Sequence, residues 1–164
     1  MTREVSSIGV VQHYGPRTDN DGEANTIMQD GNFEVIELDF DYLDANAGLP
    51  ALNQNVDASV PLIPAGSVIV EGYLQVGTAF TSGGSATLEI GTQQANGTAI
   101  DADGLDSLAV ASLTAGSIHV FDGALIGAVS SATLGSQISV DDATAVFTAG
   151  TGKIVVKYLP PYGA

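Results

Sequence analysis

The chain has no cysteine and no tryptophan, and only four lysines plus arginines in 164 residues. The lack of cysteine excludes disulfide scaffolds, thiolate zinc sites and thiol nucleophiles. It also makes the fold independent of redox state. The scarcity of bases matters as much: nineteen acids leave a formal net charge of -15. Such a charge opposes binding to phosphate backbones and anionic lipid, so no nucleic-acid partner is expected. No apolar run approaches the ~20 residues of a membrane-spanning helix, so no membrane partner is expected either. The opening MTREVSSIGVV has one arginine and a short apolar patch, which is not the pattern of a secretory leader. P-loop, Rossmann and basic-aromatic patterns are missing as well.

What remains is the vocabulary of strands and turns. Hydrophobic residues make up 45% of the chain and there are twenty glycines, a composition for one folded domain of short strands joined by tight turns. Residues Ile63 to Thr92 carry the clearest pattern. A Pro-Gly entry turn leads into a strand where Val68, Val70, Leu74 and Val76 share one parity and Glu71 and Gln75 the other. Ser82-Gly83-Gly84-Ser85 is expected to reverse the chain with positive φ, after which Ala86, Leu88 and Ile90 resume the alternation. In FEVIELDFDYLD, the apolar Ile36, Leu38, Phe40 and Tyr42 alternate with Glu37, Asp39 and Asp41. That outward row of carboxylates is expected to face water or a basic partner. A metal on the row is the lesser reading, because same-face neighbours lie ~7 Å apart.

Turn signals at Asn96-Gly97 and Asp103-Gly104 follow, then short strands at 117–122, 125–130, 137–140, 143–148 and 153–159. AGTG before Lys153 is read as another hairpin. KIVVKYL is apolar on both parities and fits a central strand. Eight to ten short strands in all predict an all-β fold: an antiparallel β-sandwich or jelly roll with an extended N-terminal arm. The arm spans 1–32, with one short strand near Ile8 to Gln12, and the single sandwich domain spans 33–164. Residues 44–64 are loop-like; a helical turn around Leu49 to Asn53, a cover over the sheet and a reach toward a partner all fit. LTAGSIHV from Leu113 echoes IPAGSVIV from Ile63, as two related halves or as the same turn used twice.

Chemistry is harder to place. The two histidines are His13, in the arm, and His119, whose parity opposes Ile118 and Val120 and predicts an outward side chain. No serine has a nucleophile-elbow context, so a hydrolase triad is disfavoured. A carboxylate-pair glycosidase would lack tryptophan to stack on sugar. Asp19-Asn20-Asp21-Gly22-Glu23 and Asp101-Ala102-Asp103-Gly104 with Asp106 are oxygen-rich, but neither fits the calcium hand, whose first ligand would fall on Arg17 or Ala99. Ordinary tight turns explain both. No cofactor is expected, and no enzyme.

The strings IPAGSVIV, TAFTSGGSATLEIG and the closing GTGKIVVKYL resemble small structural proteins of tailed bacteriophages that decorate or cement the capsid. The resemblance covers Ile63 to Thr92 and Gly150 to Leu159, about a quarter of the chain. The acidic, cysteine-free composition is similar to that of marine and cyanobacterial phage virion proteins. The resemblance implies a jelly-roll subunit, a homotrimer, bound to the major capsid protein on the outer capsid surface of the virion, with no catalytic residues. Expected capsid contacts are Arg3, His13, Tyr14 and Arg17 in the arm and Leu49 and Leu52 in the loop. Expected subunit contacts are Val155, Leu159 and Tyr162. The alternatives are a receptor- or glycan-binding module of a virion fibre, or a tail structural protein.

Overall fold

The structure, a computed structural model, describes residues 33–48, 62–94, 96–131 and 135–161, together with the backbone of strands at 3–5, 11–13 and 27–30. The early strands are β1 (Arg3–Val5), β2 (Val11–His13) and β3 (Ile27–Asp30), followed by β4 (Phe33–Asp41) and one helix, α1 (Tyr42–Ala47). Then come β5 (Val68–Ser82), β6 (Thr87–Gln94), β7 (Ala99–Ala109), β8 (Ile118–Val120), β9 (Ser136–Ala143) and β10 (Phe147–Leu159). They form an antiparallel sandwich. One layer has five strands in the order β3-β4-β10-β5-β8, and the other has three in the order β7-β6-β9. β1 and β2 pair apart from both layers, and β3, whose residues fall in the stretch read as an arm, borders β4. The expected all-β sandwich is therefore what the chain forms.

The core lies where the period-2 patterns placed it. Ile36, Leu38 and Phe40 from β4, Leu74 and Val76 from β5, and Ile154, Val156 and Tyr158 from β10 are all buried. From the facing layer come Leu88, Ile90, Ile138 and Val140. Phe80 sits between Phe40 and Phe147, at ring-centroid distances of 5.8 and 5.2 Å. KIVVKYL is central in the sheet order, yet only one of its faces is sealed; Val155 and Lys157 on the other are half-buried.

Val70 is a correction. It was expected inward with Leu74, but it is exposed and Ile69 is buried instead. The pairing slips there: Lys157 lies opposite Glu71 while Tyr158 lies opposite Ile69. This bulge gives β5 one extra residue and reverses the parity before it.

Connections are the second correction. Ser82-Gly83-Gly84-Ser85 does not close a hairpin, because β5 and β6 belong to different layers. Neither Gly83 nor Gly84 takes a positive φ. From β5 to β10 the chain changes layer at every step except β6 to β7. AGTG is no hairpin either; it lies inside β10, where the pairing with β5 is irregular. The expected strand at 125–130 is a turn region with a bridge from Val129 to Val68. The Asp103-Gly104 turn is part of β7, where the five steps from Asp101 to Asp106 stand against two steps of β6, from Ile90 to Thr92. Gly91 makes room for this excursion: a Cβ there would lie 2.0 Å from the Asp101 carbonyl oxygen.

The Ala-Gly-Ser echo is the same turn used twice. The Ser67 amide donates to the Pro64 carbonyl at 3.1 Å and the Ser117 amide to the Thr114 carbonyl at 3.0 Å. Gly66 and Gly116 adopt φ of 78° and 80°, a conformation that favours glycine.

α1 starts where a strand residue was expected. The Asp41 carboxylate accepts from the Leu43 and Asp44 amides at 2.8 and 3.1 Å, and Asp44 accepts from the Asp41 amide. This reciprocal cap ends β4 and begins the helix. Asn46 then holds the Phe147 backbone through two bonds of 2.8 Å, tying the helix to the start of β10.

Candidate assembly surface

The outward side chains of the five-stranded sheet are set by register. One row crosses Ile118, Gln75, Lys153 and Asp39; the next crosses Val120, Tyr73, Val155 and Glu37. Toward β8 the rows are apolar. Ile118 is 62% exposed, Val120 72% and Tyr73 38%, so β8 and its neighbour present uncharged hydrophobic surface to water. This inverts the expectation for His119. It lies opposite the fully buried Leu74, and therefore faces inward while Ile118 and Val120 face out.

Toward β4 the rows are charged, with Lys153 and Lys157 set among Glu37, Asp39 and Glu71. Lys153 Nζ lies 3.2 Å from Glu37 and 3.6 Å from Asp39. These contacts, the Glu37 hydrogen bond first, push the Lys153 pKa above its ordinary value. Lys157 lies 3.6 Å from Glu71 and 4.7 Å from the centroid of the Phe33 ring. Such exposed pairs add at most ~1 kcal/mol each. Their larger effect is to cancel charge on a chain that has little base to spare. Beneath them the Tyr158 hydroxyl donates to the Glu34 carboxylate; burial and that bond raise its pKa well above the ordinary phenol range.

The three-stranded sheet differs. β6, β7 and β9 contain no lysine, arginine or histidine. Glu89 lies directly opposite Asp141 across β6 and β9. Its pKa is raised by partial burial, then by the charges of Asp103 and Asp141. Asp101 is raised by partial burial and by Asp103, and Asp141 by burial despite a bond from the Asp142 amide. No lysine relieves this crowding.

Where the sheets meet at their β7 and β8 edges, Ser117, His119 and Asp106 converge, a grouping that sequence spacing did not reveal. His119 Nε2 lies 3.0 Å from Ser117 Oγ, and Asp106 feels the charge of His119. The serine also donates to the Thr114 carbonyl at 2.7 Å. Its one hydrogen is thereby engaged, so it accepts from Nε2–H. A histidine donating to a serine is not poised to deprotonate it. Asp106 itself is raised by burial, with the Ser107 amide acting against that.

An open depression of about 450 Å³ is lined by Asp39, Asp41, Asp44, Gln75, Thr151 and Lys153, among others. Its carboxylates already have partners in the helix cap and Lys153. Among the described residues no group of three or more side chains suits a metal ion. The Asp101–Asp106 segment runs along β7 as strand rather than closing as a calcium loop. Asp19 to Glu23 lie outside the described residues.

Of the expected contacts, Val155 is half-buried within the apolar row and Leu159 is 38% exposed at the end of β10. Arg3 and His13 pair as backbone in the β1–β2 ladder. Tyr14, Arg17, Leu49, Leu52 and Tyr162 lie outside the described residues. Tyr73, Ile118 and Val120 were not anticipated. The signal for the last two was the run Ile-His-Val, legible only once the burial of the histidine is known.

No family model matches the chain, and no curated protein matches it in sequence. Solved structures match in fold. A chain of the structure described as the acidic stable capsid structure of Helicobacter pylori bacteriophage KHP30 is similar with a TM-score of 0.53 at 14% identity, over 80% of this chain and 90% of that one. A chain in the cyanophage Pam1 capsid asymmetric unit has a TM-score of 0.49 at 16% identity, over 90% of this chain and 100% of that one. One in the capsid of Ralstonia phage GP4 has 0.48 at 19%, over 83% and 90%. The first likeness shows a shared fold: this sandwich is an architecture that a phage capsid also contains.

Proposed function

We propose that this chain is a structural protein of a phage virion, one that decorates the outer capsid surface and stabilises it by binding the major capsid protein lattice as an oligomer. The observation that carries the reading is the fold likeness to the KHP30 capsid chain over 80% of this chain. The contrast between its outer faces supports it. An apolar sheet whose acids are partly offset by lysines suits contact with other subunits, and an uncompensated acidic sheet suits water or a basic surface. The homotrimer that the sequence resemblance implies is part of this proposal.

Such a protein acts by mass action: it stabilises a shell only as far as it prefers the assembled lattice. Several weak contacts per oligomer suffice, because the second is intramolecular once the first has formed. The test is to add the purified protein to shells that lack it. Surface density should appear at many equivalent lattice positions, and coated shells should rupture at a higher temperature than bare ones. Shells that bind none of it would end the proposal.

A further inference from the structure

We infer that β8 is a pairing edge, through which two copies of this chain join their five-stranded sheets into one. The inference goes beyond the proposed homotrimer by naming a two-fold surface that would link such oligomers, and it rests on that reading of the chain as an assembling subunit.

The backbone sets the geometry. The Val76 amide donates to the Ser117 carbonyl and the Phe121 amide to the Gly72 carbonyl, each at 2.9 Å. His119 lies between them, opposite Leu74. In an antiparallel ladder this alternation turns the backbone groups of 117, 119 and 121 toward β5, and those of Ile118 and Val120 away from it. β8 ends the strand order, so those groups point off the sheet. The side chains at these two positions are the strongly exposed, uncharged ones.

The two edges of the three-stranded sheet are defended. β7 carries its bulged excursion with Asp101 and Asp103, and β9 carries Asp141 and Asp142. Bulges and carboxylates are the devices that prevent strand-to-strand association. β8 has neither.

Charge selects a second copy as the occupant. A chain of net charge -15 meets itself most easily where its own lysines offset its acids, and the outer face of this sheet, with Lys153 and Lys157 among Glu37, Asp39 and Glu71, is where they do. A two-fold axis at His119 sets Ile118 of one copy opposite Val120 of the other, a pair that exchanges two backbone hydrogen bonds. The symmetric pair exchanges two more. The same register sets Asp122 opposite Gly116, so no carboxylate meets a carboxylate across the ladder. One short edge per copy is a weak contact alone, suited to linking oligomers already concentrated on a lattice.

The absence of cysteine permits a clean test in the full chain. Ile118→Cys and Val120→Cys proteins are prepared singly, mixed, and exposed to a glutathione redox buffer. Hydrogen-bonded strand partners have Cα atoms ~5.5 Å apart, within disulfide reach. The mixture should cross-link at least about tenfold faster than either protein alone, each tenfold being ~1.4 kcal/mol of preference. A Val146→Cys control should show no such preference. In parallel, Ile118→Lys should abolish concentration-dependent association beyond the homotrimer in sedimentation without moving the melting temperature. Equal cross-linking in all mixtures, or unchanged sedimentation of Ile118→Lys, would overturn the inference. If Ile118→Lys associates beyond the homotrimer and coats shells as the unsubstituted protein does, the edge is wrong and decoration stands. If the cross-link forms but the unsubstituted protein coats no shell, decoration is wrong and the edge stands.

Discussion

The two outer faces of this sandwich are made from the same kind of strand and treat charge in opposite ways. On the five-stranded sheet, Glu37, Asp39 and Glu71 are answered by Lys153 and Lys157. On the three-stranded sheet, Glu89 faces Asp141 and no base is present in any strand. Opposite charges across a ladder add roughly 0.2–1 kcal/mol, and like charges subtract a similar amount. One face is therefore stabilised by its polar groups and the other is held together in spite of them. The acidic sheet depends on the core beneath it, where Leu88, Ile90, Ile138 and Val140 are buried. A chain with so few bases has placed both of its sandwich lysines on the face that carries the apolar patch.

The largest test of this contrast concerns the backbone of the acidic layer. Gly91→Val should destabilise by about 3 kcal/mol, because the new side chain collides with the Asp101–Ala102 backbone where β7 crosses β6. Gln75→Val, outward on the other face, should stay within ~0.5 kcal/mol. Urea midpoints compare the two, and equal midpoints would mean that the excursion of β7 does not depend on close approach.

Next in size is the response to pH. Glu89, Asp101, Asp106 and Asp141 all have raised pKa values when folded, from ordinary values of 4.5 for the glutamate and 3.8 for the aspartates. The native state then holds protons more tightly than the unfolded chain. Between the ordinary and the raised values, stability grows as pH falls; above the raised values their burden is fully present. Lys153 acts on the alkaline side, contributing stability below its ordinary value of 10.5 that is lost as pH rises through its raised one. Unfolding midpoints should thus be higher at about pH 5 than at about pH 8. A midpoint that rises steadily from about pH 5 to about pH 8 would contradict the reading of the acidic face.

Single substitutions give the smallest and sharpest comparison. Glu89→Gln should stabilise by about 0.5 kcal/mol by removing a like charge from the pair with Asp141. Glu37→Gln should destabilise by a similar amount, by taking a partner from Lys153. Opposite signs in thermal melts support the contrast, and equal signs would dissolve it.

Much of the core was legible because its signal is local. Ile36, Leu38 and Phe40, and Ile154, Val156 and Tyr158, alternate without interruption, and a half-buried strand requires that spacing. β7 was missed because its aspartates and Gly104 read as turn residues, whereas tertiary packing around Gly91 makes them a bulged strand. Val70 was misplaced because nothing in Val-Ile-Val-Glu marks where a bulge falls. α1 left a readable trace in Asp41 and Asp44, spaced as a reciprocal cap, but the apolar alternation running into Tyr42 masked it. Of the candidate surface, Val155 was visible on its strand. Ile118 and Val120 were not, since three residues hold too little pattern to say which side is in.

Composition and periodicity alone determined that this chain is an acidic, cysteine-free β protein with one layered core, because hydrophobic alternation depends on neighbours two residues apart. Tertiary structure alone decided which strand joins which layer, where the lysines meet their acids, and which edge stays uncharged. Those outcomes depend on residues far apart in sequence, such as Asn46 with Phe147 or Glu37 with Lys153. Only closure of the core brings them within a few ångströms.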